Sequence, residues 1–297
     1  MSHTPITPEM PIAEAGRRMM ADELATIQAY WPKLRSSADD KAVHETRKAI
    51  RRMFTLVKLF APYFKTGLLQ QHRDGLRRIM RRLDPCRDLT VFRHNLTTYN
   101  DAVELPLTRL VAYWNEQQLI ADDSLQKYLG RKTANRTMNR FAHLVTMEGA
   151  GLPKRKARTA PLLVRHALPG MVLSHVGIVR AWGEILPEAS LYQLHQLRIQ
   201  FKELRYTLSF FEDILSVEAG EVLDLSCRIQ EHLGELNDAS VALDLLKTTR
   251  HGGEEAKVYD RFQRAELTRL IDEFRALYTD FDRPEVRRKL AIATSDL

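Results

Sequence analysis

Apolar residues recur at three- and four-residue spacing through most of this chain, and the alternation of a half-buried strand is nearly absent. A chain patterned this way buries its apolar stripes by packing helix on helix, so the fold class is all-α. Pro62, Gly67, Pro85, Pro106, the Gly149–Pro153 stretch, Pro169–Gly170, Pro187, Gly220, Gly252–Gly253 and Pro284 mark boundaries. The spacing predicts helices over 9–31, 39–61, 67–83, 86–100, 107–120, 123–147, 160–185, 190–217, 220–233, 238–249, 254–280 and 284–293.

The chain also repeats itself. His44-Glu-Thr-Arg47, followed by Arg51 and Arg52, has a counterpart in His195-Gln-Leu-Arg198, followed by Lys202 and Arg205-Tyr206. Leu83-Asp-Pro-Cys-Arg87-Asp88-Leu-Thr-Val91 matches Leu233-Gly-Glu-Leu-Asn237-Asp238-Ala-Ser-Val241. The offset is 151 residues at the histidines and 150 at the aspartates. Two motifs held in register imply an internal duplication. The expected architecture is two antiparallel four-helix-type bundles related by a pseudo-twofold axis. Residues 1–150 and 151–297 form the two repeats, with Gly151 to Arg158 (GLPKRKAR) as the linker.

The charge is placed, not spread. A net charge of +7 favours an acidic partner only weakly, but residues 41–93 hold fourteen Lys/Arg against four acids (Glu45, Asp74, Asp84, Asp88). From residue 211 onward, twelve Lys/Arg meet nineteen Asp/Glu. At about 100° per residue, His44, Arg47, Lys48, Arg51 and Lys58 share a narrow arc, opposite Val43, Ile50, Met53, Val57 and Phe60. His195, Arg198, Lys202 and Arg205 form the same stripe, opposite Leu194, Leu197, Phe201, Leu204 and Leu208, with Ile199 and Glu203 where Lys48 and Arg52 stood. A third basic helix carries Arg73, Arg77, Arg78, Arg81 and Arg82, its Leu76, Ile79 and Leu83 facing inward.

Like charges at i,i+4 cost an isolated helix a few tenths of a kcal/mol per pair, and a helix needing only solubility intersperses Glu, as 254–275 does. For any single Arg, a solvated face with partners on neighbouring helices is the ordinary expectation. Four local acids are too few for fourteen cations. Arg makes bidentate bonds to phosphate oxygens and Lys supplies a point charge. The rise from His44 to Lys58 is about 21 Å, beyond the roughly 8 Å screening length. Only an extended, multiply charged ligand engages the whole row.

His44 and His195 head their ladders as phosphate contacts or local hydrogen-bonding groups, and no zinc-type spacing makes them metal ligands. Asp88 and Asp238 are the acids shared by the repeats, favourable near helix N-termini or as anchors for a ladder Arg. No nucleophile accompanies them, so no catalytic pair is expected. Cys86 and Cys227 form no CxxC and read as small core residues of a cytoplasmic protein. The N-terminus lacks secretory-signal character, and no apolar run approaches a membrane span.

These motifs resemble the CHAD family, the conserved histidine α-helical domain, over roughly residues 10–290. The carrying residues are His44-x-x-Arg47 with Arg51-Arg52, and Leu194-His195-x-x-Arg198 with Lys202 and Arg205-Tyr206. Arg87-Asp88 and Leu233-Gly234…Asn237-Asp238 add to the match. The resemblance implies two four-helix bundles with a basic central groove, binding of inorganic polyphosphate, and association with polyphosphate granules. Met53-Phe54 stands where the family usually has Leu-Arg, so one rung is missing. The ExExK motif of the CYTH domain often joined to this family is absent, which points to a stand-alone domain without that hydrolytic activity.

The expectation is therefore a non-enzymatic polyphosphate binder without cofactor or metal. Its ligand residues are His44, Arg47, Lys48, Arg51, Arg52, Lys58, Arg73, Arg77, Arg78, Arg81, Arg82, His195, Arg198, Lys202, Arg205 and Tyr206, supported by Arg87, Asp88, Asn237 and Asp238. Charge is expected to be strongest around Arg47, Arg51 and Arg78. The main rival is a nucleic-acid binder, against which the stripes lack interleaved aromatics and any helix-turn-helix or RNA-recognition signature. Third is a metal-dependent phosphate-handling enzyme using the histidines.

Overall fold

The computed structural model describes residues 5–102, 106–152, 160–249, 253–295 and 297. Those residues form ten α-helices and no strand. They are α1 (Ile12–Ser37), α2 (Asp40–Phe60), α3 (Leu68–Ala102), α4 (Thr108–Leu129), α5 (Lys132–Thr146), α6 (Val164–Ala181), α7 (Leu191–Phe210), α8 (Val217–Thr248), α9 (Gly253–Phe281) and α10 (Pro284–Ser295). None is long and apolar enough to cross a membrane. Of the expected linker 151–158, positions 153–158 lie outside the described residues, as does the boundary mark at 252.

Expected breaks at Pro85, Pro169–Gly170 and Gly220 are absent, since these residues lie inside α3, α6 and α8, and α1 continues through Pro32 beyond its expected end at 31. Proline removes one intrahelical donor at a cost of roughly 3 kcal/mol. Leu83, Cys86 and Leu89 flank exposed Pro85 and are all buried, so packing holds α3 together. The expected break between 233 and 238 is likewise absent, because α8 runs through Gly234 with Leu233 and Leu236 buried. Asp88 and Asp238 thus sit mid-helix, and their expected favourable position near a helix N-terminus is corrected.

Local signals place the two ladder helices. Asp39 caps α2, its Oδ1 accepting the Ala42 N–H at 2.9 Å. Ser190 and Gln193 form a capping box at the start of α7, where the Ser190 hydroxyl accepts the Gln193 N–H at 3.3 Å. Gln193 Oε1 accepts the Ser190 N–H at 2.8 Å.

The chain divides into two compact units. One draws on 16–153 and 241–264, the other on the residues up to 15, on 154–240 and on 265–297. In the first, Leu89, Phe92 and Leu96 of α3 pack with Leu110 and Trp114 of α4, Leu246 of α8 and Tyr259 of α9. The Phe92 ring meets Trp114 edge-on at 5.1 Å. Gly16 lets α1 approach α2 closely, since a Cβ there would come within 2.5 Å of the Phe60 ring. In the second unit, Phe201 of α7 lies 4.9 Å from Phe281. Residues 10–12 pair with 162–164: the Ile12 N–H donates to the Leu162 carbonyl at 3.0 Å, and the Val164 N–H to the Met10 carbonyl at 2.9 Å.

Candidate functional site

The inward stripes fall as the spacing requires. Val43, Ile50, Met53, Val57 and Phe60 of α2 are buried, as are Leu76, Ile79 and Leu83 of α3 and Leu194, Leu197, Phe201, Leu204 and Leu208 of α7. This burial turns the cationic stripes outward, and in the first unit it sets α2 beside α3. The two run antiparallel: Thr90 donates to Asp40 at 3.0 Å, Arg47 meets Asp84 and Asp88, and Arg73 lies over the Phe54 ring at 5.8 Å.

Three of the four local acids, Asp74, Asp84 and Asp88, are engaged by arginines. Arg47 Nε donates to Asp84 Oδ1 at 2.5 Å and Nη2 to Asp88 Oδ1 at 3.0 Å. Arg51 stands 3.7 Å from Asp84, Arg77 3.5 Å from Asp74, and His44 4.0 Å from Glu45. Arg47 is thus a strut between α2 and α3, its charge answered by two carboxylates. This moves the uncompensated charge away from Arg47. Lys48, Arg78 and Arg81 are exposed and form no direct ion pair among the described residues, although Lys48 is near enough to Glu23 to favour its carboxylate.

The α3 arginines do not share one face. At about 100° per residue, Arg73, Arg77 and Arg81 fall on the stripe that carries Asp84 and Asp88. Arg82 turns to α4, donating to Ser124 Oγ at 3.4 Å with its guanidinium 5.7 Å from the Tyr128 ring. Arg52 lies about 140° from Arg47 around α2 and is bound to Glu23 of α1. Burial raises the Glu23 pKa against the opposing pull of Arg52. His44 has its pKa lowered, by burial first and then by Arg87.

The second unit repeats the plan with other residues. His195 Nδ1 meets Asn237 Oδ1 at 2.8 Å, and Asn237 holds the place of Arg87 at an offset of 150. Arg198 Nη2 lies 4.0 Å from where a Cβ on Gly234 would stand, and Gly234 holds the place of Asp84. One of the two carboxylates that hold Arg47 is therefore missing from this repeat, while Asp88 keeps its counterpart in Asp238. Arg205 lies over Tyr206 at 4.9 Å. Tyr206 itself is only 4% exposed, so it offers a seat for Arg205 and little surface of its own. Lys202 is half-buried on the same helix.

Sequence reasoning missed three features. The Glu23–Arg52 pair joins residues on two helices and has no local signal. In the second unit His175 Nδ1 of α6 stands 4.0 Å from Glu203 of α7, and Glu203 is the counterpart of Arg52. Asp88 and Asp238 are also not the only shared acids. With α3 and α8 each continuous, the offset of 150 also aligns Asp74 with Asp224 and Arg78 with Arg228.

A family model for the CHAD domain matches residues 18–247. The chain belongs to the CHAD domain family. Its fold is that of solved relatives. The crystal structure of the CHAD domain from the plant Ricinus communis is 20% identical, covers 98% of this chain and 95% of its own, and superposes with a TM-score of 0.71. PptA from Streptomyces chartreusis is 14% identical, with 91% and 99% covered and a TM-score of 0.69. At these identities the likeness of this CHAD domain to both is one of fold. No curated protein matches it.

Proposed function

We propose that this CHAD domain binds inorganic polyphosphate without turning it over, and that the seam of α2 and α3 carries a large part of the contact. The supporting observation is a contrast between helices. On α9 three of the five cations are answered at i,i+3 or i,i+4, Lys257 by Glu254, Arg264 by Asp260 and Arg269 by Glu266 and Glu273. On α2 and α3, Lys48, Arg78 and Arg81 stand exposed without such partners while Asp74, Asp84 and Asp88 are already engaged by other arginines. Surplus charge held in a row costs the free protein and is offset when phosphates occupy it. The family resemblance points the same way, and on this reading the protein can associate with polyphosphate granules. Among the described residues no group of three His, Cys, Asp or Glu is placed to hold a metal ion.

The test is titration with long-chain polyphosphate at about 50 mM salt, a regime in which phosphate contacts are strong. Arg47→Glu is a poor probe, because it sets a third carboxylate against Asp84 and Asp88. Changing exposed Lys48, Arg78 and Arg81 together to Glu is expected to weaken binding at least tenfold, roughly one charge-assisted contact or more, with the helical circular dichroism unchanged. Absence of binding by the unmodified protein, or undiminished binding by the triple variant, would overturn the proposal. Displacement of polyphosphate by RNA or DNA at equal phosphate concentration would assign the seam to nucleic acid instead.

Acid pH acts on the same site with two opposite signs. His44 has a depressed pKa in the free protein, so stability is lost as pH falls below about 6.5 and through the folded value. A bound polyanion favours the imidazolium, so binding takes up a proton and affinity rises over that same range. The expected result is tighter binding at pH 5.5 than at pH 7.5, with a smaller pH dependence in His44→Gln. An unchanged pH profile in that variant would remove His44 from the contact set.

A further inference from the structure

Where α2 ends and α3 begins, a cavity of about 220 Å³ opens among Val57, Lys58, Ala61, Lys65, Gly67, Leu69, Gln70 and Arg73. Its charged lining is wholly cationic. A larger cavity of about 600 Å³ in the other unit differs, since Glu184 and Asp282 line it together with Arg180, Arg275 and Arg283. The smaller cavity lies at one end of the α2 ladder, and Lys58 is both its wall and the last rung.

Arg73 is seated there by unusual means. Its guanidinium lies over Phe54 at 5.8 Å, and Nη1 reaches Gln70 Oε1 at 3.5 Å. Its Nε is buried with no hydrogen-bond partner, and neighbouring Asp74 is engaged by Gln70 and Arg77. Phe54 occupies the position where the ladder lacks a cation, so the aromatic ring exchanges a rung on α2 for a fixed guanidinium on α3. Gly67, at φ +74°, makes the turn that carries the chain from Lys65 into α3. The Lys65 N–H is anchored on the Gly151 carbonyl at 2.8 Å, which holds the backbone of that wall.

We propose that this cavity receives the terminal phosphate of a polyphosphate chain whose interior phosphates lie along the seam. The inference rests on the polyphosphate reading. A terminal phosphate carries up to two charges at neutral pH, its second pKa being near 6, and it ends in three non-bridging oxygens. An interior phosphate carries one charge and two such oxygens. Three cations lining one cavity match the terminal group, whereas the ladder offers about one cation per rung. The volume equals that of roughly seven water molecules, enough for one hydrated phosphoryl group and too little for a chain that turns back. The first-turn N–H groups of α3 add the favourable end of a helix dipole.

Three probes separate chain-end from chain-interior binding: tripolyphosphate, long-chain polyphosphate, and the same long chains with both terminal phosphates capped as phosphoramidates, which leaves each end one charge like an interior phosphate. The unmodified protein should bind the uncapped long chains at least tenfold more tightly than the capped ones. Lys65→Gln should abolish that difference and weaken tripolyphosphate binding about tenfold, while leaving capped-chain binding unchanged. Lys65 is exposed, so the variant keeps its fold, and an unchanged melting temperature confirms it. Equal binding of capped and uncapped chains by the unmodified protein, or equal losses on both in Lys65→Gln, would overturn the end site and leave polyphosphate binding standing. No binding of any long chain would overturn both.

Discussion

Raising the salt from 50 to 200 mM should weaken long-chain polyphosphate binding roughly 130-fold, if five cations of α2 and α3 each neutralise one phosphate. The five are Lys48, Lys58, Arg73, Arg78 and Arg81. Condensed counterions released from a flexible single polyanion give a slope of about −0.7 per contact in log K against log salt, so about −3.5 in total. Arg47, Arg51 and Arg77 are left out because Asp84, Asp88 and Asp74 already hold them. Arg52 is left out because Glu23 holds it. The slope thus measures how many cations of the two helices meet phosphate, which composition alone does not reveal. Affinity measured at five or six salt concentrations decides the matter. A slope near −1 would mean that one local phosphate contact carries the binding and that the extended seam does not act as a row.

Arg52→Ala should destabilise the protein by about 3 kcal/mol, near the lower bound for breaking a buried ion pair. The Arg52 side chain is 23% exposed and that of Glu23 only 10%, so removing the guanidinium strands a buried carboxylate. Burial already raises the Glu23 pKa, and Arg52 is the largest opposing influence. In the variant the folded state binds a proton more readily than the unfolded one. Stability therefore falls as pH rises through the raised pKa, and the deficit shrinks as pH falls toward 4.5. Replacing both residues by Leu should recover most of the loss, because no charge is then left buried. Chemical denaturation of the single and double variants at pH 7.5 and 5 is the measurement. An unchanged midpoint for Arg52→Ala would show that the pair contributes nothing.

The two results bear on one question, which cations on α2 face a ligand and which hold the helices together. Arg51 and Arg52 are neighbours in sequence and both basic. Rotation by about 100° sends one to the seam and the other to α1. Composition and motif matching treat them alike. Only the position of Glu23 separates them, 29 residues away on another helix.

Much of the architecture is legible without coordinates. Helical period alone identified the buried faces of α2, α3 and α7, because apolar residues three and four apart fall on one side of a helix whatever it packs against. The capping residues Asp39 and Ser190 are equally local signals. Helix continuity was not legible at Pro85 or Gly234. There the local preference for a break is worth a few kcal/mol at most, and the packing of Leu83, Cys86, Leu89, Leu233 and Leu236 outweighs it.

The sequence by itself determined the all-α class, the duplicated ladder motifs and the outward stripes of His44, Arg51, Lys58, Arg198 and Lys202. Each depends on a periodicity or an offset carried along one stretch of chain. The tertiary structure decided which charges are already answered: Arg47 by Asp84 and Asp88, Arg52 by Glu23, and Arg82 turned toward Tyr128. It also decided that Lys58, Lys65 and Arg73 share one cavity. Side chains meet across helices at separations that no local pattern encodes, and a cation's availability to a ligand depends on those meetings.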